Sequence, residues 1–240
     1  MTDSGTGSNA LPTVRISLVA LFVTALMTSQ VTASKILGVA SPVALPLTGD
    51  YLVVPGAALA YAVTYFATDC YSELYGRDAA RQLVLVGFAM NFVVLALVFS
   101  TLAAPAAVFV EDPGVYDRVL GASANVVAGS LLAYIVSQNW DVWVFHRIRA
   151  ETDGEKLWLR NLGSTATSQA IDTVLFVTVA FGLAPLVLPG GPQSASALGG
   201  LIVGQYVLKL LIAVLDTPFV YLVVGAVRDG DPAGTAATVR

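Results

Sequence analysis

Asp69, Asp141, Asp172 and Asp216 stand inside segments that are otherwise apolar enough to cross a membrane. An ionised carboxylate near a bilayer centre costs about 2.5–3.5 kcal/mol even on the most lenient insertion scale, so these groups are expected to face a protein interior. There they could accept hydrogen bonds, carry protons or balance a cation. Two of them close the same pentapeptide pattern, Ser-Gln-x-x-Asp, at Ser137–Asp141 and Ser168–Asp172.

Spacing groups these residues by face and by depth. Ser164, Ser168 and Asp172 share an i, i+4 row with Thr165 and Gln169 on its flank, a wide polar stripe. Asp172 lies about eleven residues into its helix, hence about 16 Å deep at 1.5 Å per residue, near the bilayer midplane. Gln205, Lys209 and Asp216, at i, i+4 and i+11, return to nearly one face of a helix. Lys209 and Asp216 are two turns apart, roughly 10 Å, too far for a direct bridge, so each needs a partner on another helix. Asp172 is the candidate for Lys209. Pro218 removes a backbone hydrogen bond, and a kink beside Asp216 is expected. The competing reading is a buried Lys–Asp pair that only fixes packing.

A second group falls nearer the cytoplasmic side. Asp69 and Glu73 are spaced i, i+4 with Tyr61 and Tyr65 above them and Arg77 and Arg81 beyond. They form either an interfacial charge cluster or a gate that relays protons. Tyr134, Gln138 and Asp141 form one stripe, followed by His146 and Arg147, so Asp141 can pair with a basic neighbour. The lone His146 reads as an end-of-helix residue rather than a proton relay. Because the two Ser-Gln-x-x-Asp copies lie on antiparallel helices, they are expected at different depths. Asn91, one turn after Gly87, serves as a ligand or as interhelical glue. Ala25, Ser29 and Ala33 make a small-xxx-small packing row beside Gln30 and Lys35.

The composition says what must position these residues. Hydrophobic residues make up 56% and charged residues 12%, with a mean hydropathy of +0.77, against about 25% charged in soluble chains, so the chain is an integral membrane protein. At about 20 apolar residues per span, 240 residues leave room for roughly six helices. The expected spans are Val14–Ser34, Val53–Tyr75, Ala80–Ala103, Val119–Phe145, Leu162–Leu188 and Leu198–Val227, an all-α polytopic fold with disordered tails at 1–13 and 228–240. Ser41-Pro42 to Asp50, Glu111-Asp112-Pro113-Gly114 and Pro189-Gly190-Gly191-Pro192 read as loops. The leader has no basic residue and the first apolar run is too long for a cleavable signal. Both termini inside puts Arg15, Arg77, Arg81, Arg147, Arg149, Lys156, Arg160, Arg228 and Arg240 in the cytoplasm and leaves Lys35 and Arg118 outside. Three plus three spans would set the halves in opposite orientation, an inverted repeat.

Other chemistries lack their residues. There is no Walker A sequence, no His-Glu-x-x-His, no Gly-x-Ser-x-Gly and no Cys/His ligand set. An intramembrane aspartyl enzyme would need Asp172 and Asp216 face to face without any motif around them. Cys70, the single cysteine, can form no intrachain disulfide. The net charge of -4 and pI of about 4.8 are spread over tails, loops and intramembrane carboxylates and point to no particular partner. No cofactor or metal is expected.

The runs Val54-Pro55-Gly56-Ala57, Thr64-Tyr65-Phe66-Ala67-Thr68-Asp69 and Glu73-Leu74-Tyr75-Gly76-Arg77 resemble the opening motif of the queuosine precursor transporter family, also described as vitamin uptake transporters. Ser137-Gln138, Asp141, Phe145-His146-Arg147, Trp158-Leu159-Arg160-Asn161, Ser164-Thr165, Ser168-Gln169, Ile171-Asp172-Thr173, Gly204-Gln205-Tyr206, Lys209 and Leu215-Asp216-Thr217-Pro218 extend the resemblance. Ala62 departs from it, where relatives often carry proline. The resemblance implies a six-helix inner-membrane transporter, not an enzyme. It would import 7-cyano- or 7-aminomethyl-7-deazaguanine for tRNA modification without touching nucleic acid itself, and a homo-oligomer is allowed. On this reading Asp172, Gln169, Ser168, Gln205, Lys209, Asp216 and Asn91 bind the substrate, while Asp69, Glu73, Asp141 and Gln138 gate or relay protons. The alternative is a substrate-binding membrane subunit driven by a separate ATPase.

Overall fold

The computed structural model describes residues 10–152 and 157–230. In chain order these form α1 (Ala10–Thr32), β1 (Ile36–Leu45), β2 (Gly49–Pro55), α2 (Ala58–Tyr75), α3 (Arg77–Leu102), α4 (Gly114–Gly121), α5 (Ser123–Glu151), α6 (Leu157–Thr178) and α7 (Ala195–Gly230). A π-helical turn, Val179–Leu183, and a 3₁₀ turn, Ala184–Leu186, prolong α6. Among the described residues, five helical stretches are long and apolar enough to cross a membrane: Thr13–Thr32, Arg77–Leu102, Gly114–Glu151, Leu162–Leu186 and Ala195–Asp229. The chain is therefore mostly helical and polytopic.

Three expectations change. The all-α reading omits an antiparallel hairpin in which Ile36 pairs with Pro55 and Ala40 with Tyr51, with an irregularity between Ala40 and Leu45. Pro42 falls within that irregularity, where a residue without an N–H breaks no ladder bond. Val53–Pro55 is strand, so the second expected span shrinks to the 18 residues of α2. With Asp69 and Glu73 in it, α2 is not among the five membrane-length helices, where six spans were expected. Finally, α1 starts at Ala10 and α7 runs unbroken through Pro218 to Gly230, both inside the tails set at 1–13 and 228–240. The remainder of those tails, and Lys156, lie outside the described residues.

The chain divides into two compact units. The first combines α1 up to Ser29, α2, α3 up to Val94 and α7 from Leu210. Its core joins Leu18, Phe22 and Leu26, one face of α1 at i, i+4, i+8, to Ala67, Cys70 and Tyr71 of α2, Leu83 of α3, and Val220 and Val224 of α7. Gly87 allows α3 to approach α1 closely, since a Cβ there would meet the Phe22 ring at 2.5 Å. Cys70 is a packing residue. Arg15 Nε donates to the Tyr71 hydroxyl at 2.9 Å and its guanidinium lies over the Tyr75 ring, so the charge is held by aromatic partners.

The second unit holds the hairpin, the end of α3, α4, α5, α6 with its extension, and α7 up to Lys209. Here α5 and α6 run antiparallel: Gly129 abuts Ala180 and Phe176, while further along α5 Ser137 meets Asp172 and Asp141 meets Ser168. The hairpin packs on α7 through glycines. Gly204 lies against the Val53 backbone with no room for a Cβ, and Gly199 and Gly200 lie against Leu47 and Thr48. A Gly-x-x-x-Gly spacing, which in membranes commonly seats a second helix, here seats a strand.

Candidate functional site

The second unit builds a charged cluster where α5, α6 and α7 meet. Asp172 stands midway between Leu157 and Leu186. Lys209 Nζ on α7 contacts Asp172 Oδ2 at 2.7 Å, with side chains 11% and 27% exposed. The partner that spacing required for Lys209 is thus the one found. Such a pair survives burial only where further hydrogen bonds serve the carboxylate. Asp172 Oδ1 has one, from Ser137 Oγ at 3.2 Å.

That serine opens the other copy of Ser-Gln-x-x-Asp, and the exchange is reciprocal: Ser168 Oγ donates to Asp141 Oδ1, also at 3.2 Å. The two pentapeptides therefore lie side by side, each serine serving the other copy's aspartate. The expectation that they occupy different depths gives way to this register, which antiparallel helices in contact permit. The pairing expected for Asp141 with a basic neighbour is corrected too: Arg147 Nε pairs with Glu151 at 2.6 Å, one turn on. Trp140 Nε1 donates to Thr167 Oγ1 at 3.1 Å and ties α5 and α6 together beside the crossed serines.

The glutamines of the second unit differ in burial. Gln205, one turn before Lys209 on α7, is buried, and its Oε1 has no protein partner. Gln30 is wholly buried with neither amide atom bonded; its signal in the sequence is an amide within an apolar span. Gln169 is half-buried, whereas Gln138 is exposed on α5. An unpaired buried polar group costs about 1–3 kcal/mol, and Gln205 Oε1 and both amide atoms of Gln30 are such groups.

The first unit holds the remaining candidates. Asp69, Glu73, Arg77, Thr217, Tyr221 and Arg228 line a cavity of about 270 Å³. Asp216 and Glu73 are close enough to Asp69 for their carboxylates to repel it. Arg228 Nη2 donates to the Glu73 carbonyl at 3.0 Å and stands 3.9 Å from its carboxylate. Asp216 Oδ2 is buried without a partner, and Asn91 is wholly buried with both amide atoms unpaired. So Asp172, Lys209, Ser168 and Asp141 come together with Ser137, while Asp216 has Asp69 for a neighbour. Among the described residues no group of three or more His, Cys, Asp or Glu could hold a metal ion.

The sequence profile of the family described as "Putative vitamin uptake transporter" matches residues 55–223. A protein of Bacillus subtilis (strain 168) named "Probable queuosine precursor transporter" is 34% identical over 167 residues, 67% of each chain. No solved structure matches.

Proposed function

The chain belongs to the vitamin uptake transporter family, a multi-pass membrane transporter of a small molecule rather than an enzyme, and from that premise we propose that it imports a 7-deazaguanine precursor of modified tRNA, 7-cyano-7-deazaguanine or its 7-aminomethyl relative. The observation that carries this reading is the half-buried Asp172 carboxylate held by Lys209 and Ser137, with the unpaired Gln205 Oε1 one turn from Lys209.

The chemistry suits such a ligand. A carboxylate has about four acceptor positions; Lys209 and Ser137 use two, and two remain for the paired N–H donors of a guanine-like edge. Lys209 offsets the negative charge, so the carboxylate stays an acceptor inside the bilayer. The amides of Gln205 and Gln169 complement the ring carbonyl, Ser168 holds the neighbouring Asp141, and Tyr134 and Tyr206 offer ring faces on α5 and α7. Asp216 and Asn91, in the first unit, carry buried unpaired polar atoms available to a solute there. Asp69 and Glu73, around their cavity, gate it or relay protons towards the cytoplasm. Asp141 acts with the Asp172 cluster rather than with the gate, and exposed Gln138 has the smallest part.

Complementation tests this. A cell unable to make 7-deazaguanine should recover modified tRNA from low external precursor when it expresses this chain, and failure despite confirmed membrane insertion would overturn the proposal. Uptake by the purified chain in proteoliposomes, with no ATPase added, separates it from a subunit that depends on one.

A further inference from the structure

A cavity of about 190 Å³ in the second unit, apart from the Asp172 cluster, is lined among others by Arg118, Asn125, Phe181, Gly191 and Gln193. Its walls are the start of α5, the π-helical turn Val179–Leu183 and the connection after Leu186. Asn125 is 3% exposed. Its Nδ2 donates to the Pro189 carbonyl at 2.7 Å, which sets the direction of the amide, and its Oδ1 is left buried without a protein partner. A buried acceptor in that position calls for an N–H or O–H donor.

The lining also holds an aromatic. Phe181 is 7% exposed and its ring is fixed edge-on against Phe176 at 5.9 Å. Its carbonyl accepts the Gln193 N–H at 2.8 Å, so the connection around the cavity is tied down at both Pro189 and Gln193. π-Helical turns are rare and gather at functional sites; this one carries Phe181. Arg118, held by Asp112 at 2.9 Å, supplies a cation at the rim. The volume is below the roughly 300 Å³ at which drug-sized pockets begin, so a single fused-ring base suits it better than a nucleoside.

We propose that this cavity is an entry subsite on the outer face, which takes a flat N–H-bearing heterocycle before it reaches Asp172. A ring N–H bonds Asn125 Oδ1, the ring rests against Phe181, and its acceptor edge faces Arg118. The outward direction follows from Arg147 and Arg149 at the far end of α5. The choice of a deazaguanine as ligand rests on the transport reading; the acceptor and the aromatic wall do not.

Cysteine protection tests it. Nothing lies within 4 Å of a Cβ built on Gly191, and the native Cys70 is buried, so Gly191→Cys offers one accessible thiol in the full chain. A membrane-impermeant maleimide added outside whole cells should label it, and 7-cyano-7-deazaguanine should slow the labelling several-fold. Protection should persist when Asp172→Asn is added and vanish when Asn125→Leu is added. Separately, Gly191→Trp, which adds a bulky ring to the cavity's lining and leaves the Asn125 tether intact, should raise the uptake KM and leave the maximal rate nearly unchanged. No labelling from outside, labelling the probe does not slow, or protection that Asp172→Asn abolishes would each overturn the subsite. Should Asn125→Leu fail to fold, an unchanged KM in Gly191→Trp would do the same. Uptake without protection removes the subsite and leaves transport standing; protection without uptake does the reverse.

Discussion

The two groups of intramembrane carboxylates solve the burial of charge in different ways. In the second unit both intramembrane aspartates have an assigned partner: Lys209 and Ser137 hold Asp172, and Ser168 holds Asp141. In the first unit Asp69 and Asp216 have each other as neighbours and, among the described residues, no ion-pair partner, while Arg228 stays 3.9 Å from the Glu73 carboxylate. A satisfied cluster fixes a geometry in which a ligand can be read. An unsatisfied one stores repulsion that a proton, a cation or a conformational change relieves, which suits a gate.

The sharpest way to break this comparison is to remove half of the partnered pair. Lys209→Met leaves a buried carboxylate uncompensated and should cost about 3–5 kcal/mol, read as a fall in Tm in nanodiscs together with loss of uptake. Asp172→Asn should also lose uptake and lower Tm, and the double variant should recover much of the stability but none of the transport. Equal Tm values for wild type and Lys209→Met would show the pair to be incidental.

Asp216→Asn provides the contrast. It removes a repelling charge rather than a paired one, so uptake should drop sharply while Tm holds or rises. A fall in Tm like that of Asp172→Asn would erase the distinction between the two regions. Ser137→Ala and Ser168→Ala come next, at about 0.5–1.5 kcal/mol each, the usual net worth of one hydrogen bond. Because the two serines serve different carboxylates, Ser137→Ala should impair uptake more than Ser168→Ala. Gln138→Ala should change neither uptake nor Tm measurably, since Gln138 is exposed.

One of these contacts, Lys209 with Asp172, is legible in the sequence alone. Lys209 in an apolar helix with no carboxylate within reach on its own helix has to find one elsewhere, and Asp172 was the deep candidate. The reciprocal serines were not legible, because the pattern states only that two copies exist. Their alignment depends on the register of α5 against α6, where Gly129 meets Ala180. The hairpin was hidden for a different reason. Val53 and Val54 are apolar enough to read as the beginning of a helix, and Ser41-Pro42 reads as a loop although Pro42 falls within a strand irregularity.

By itself the sequence determined the solvent and the cost. Its apolar runs require a bilayer, and each carboxylate inside them requires an interior neighbour, because transfer free energies depend on residue type and run length alone. Only the tertiary structure decided who those neighbours are. Asp172 met Lys209 and Ser137, and Asp141 met Ser168 rather than Arg147, because hydrogen bonds and ion pairs act over a few ångströms. At that range the outcome turns on helix register and close approach, set by glycines such as Gly129 and Gly204 whose role shows only when another backbone lies against them.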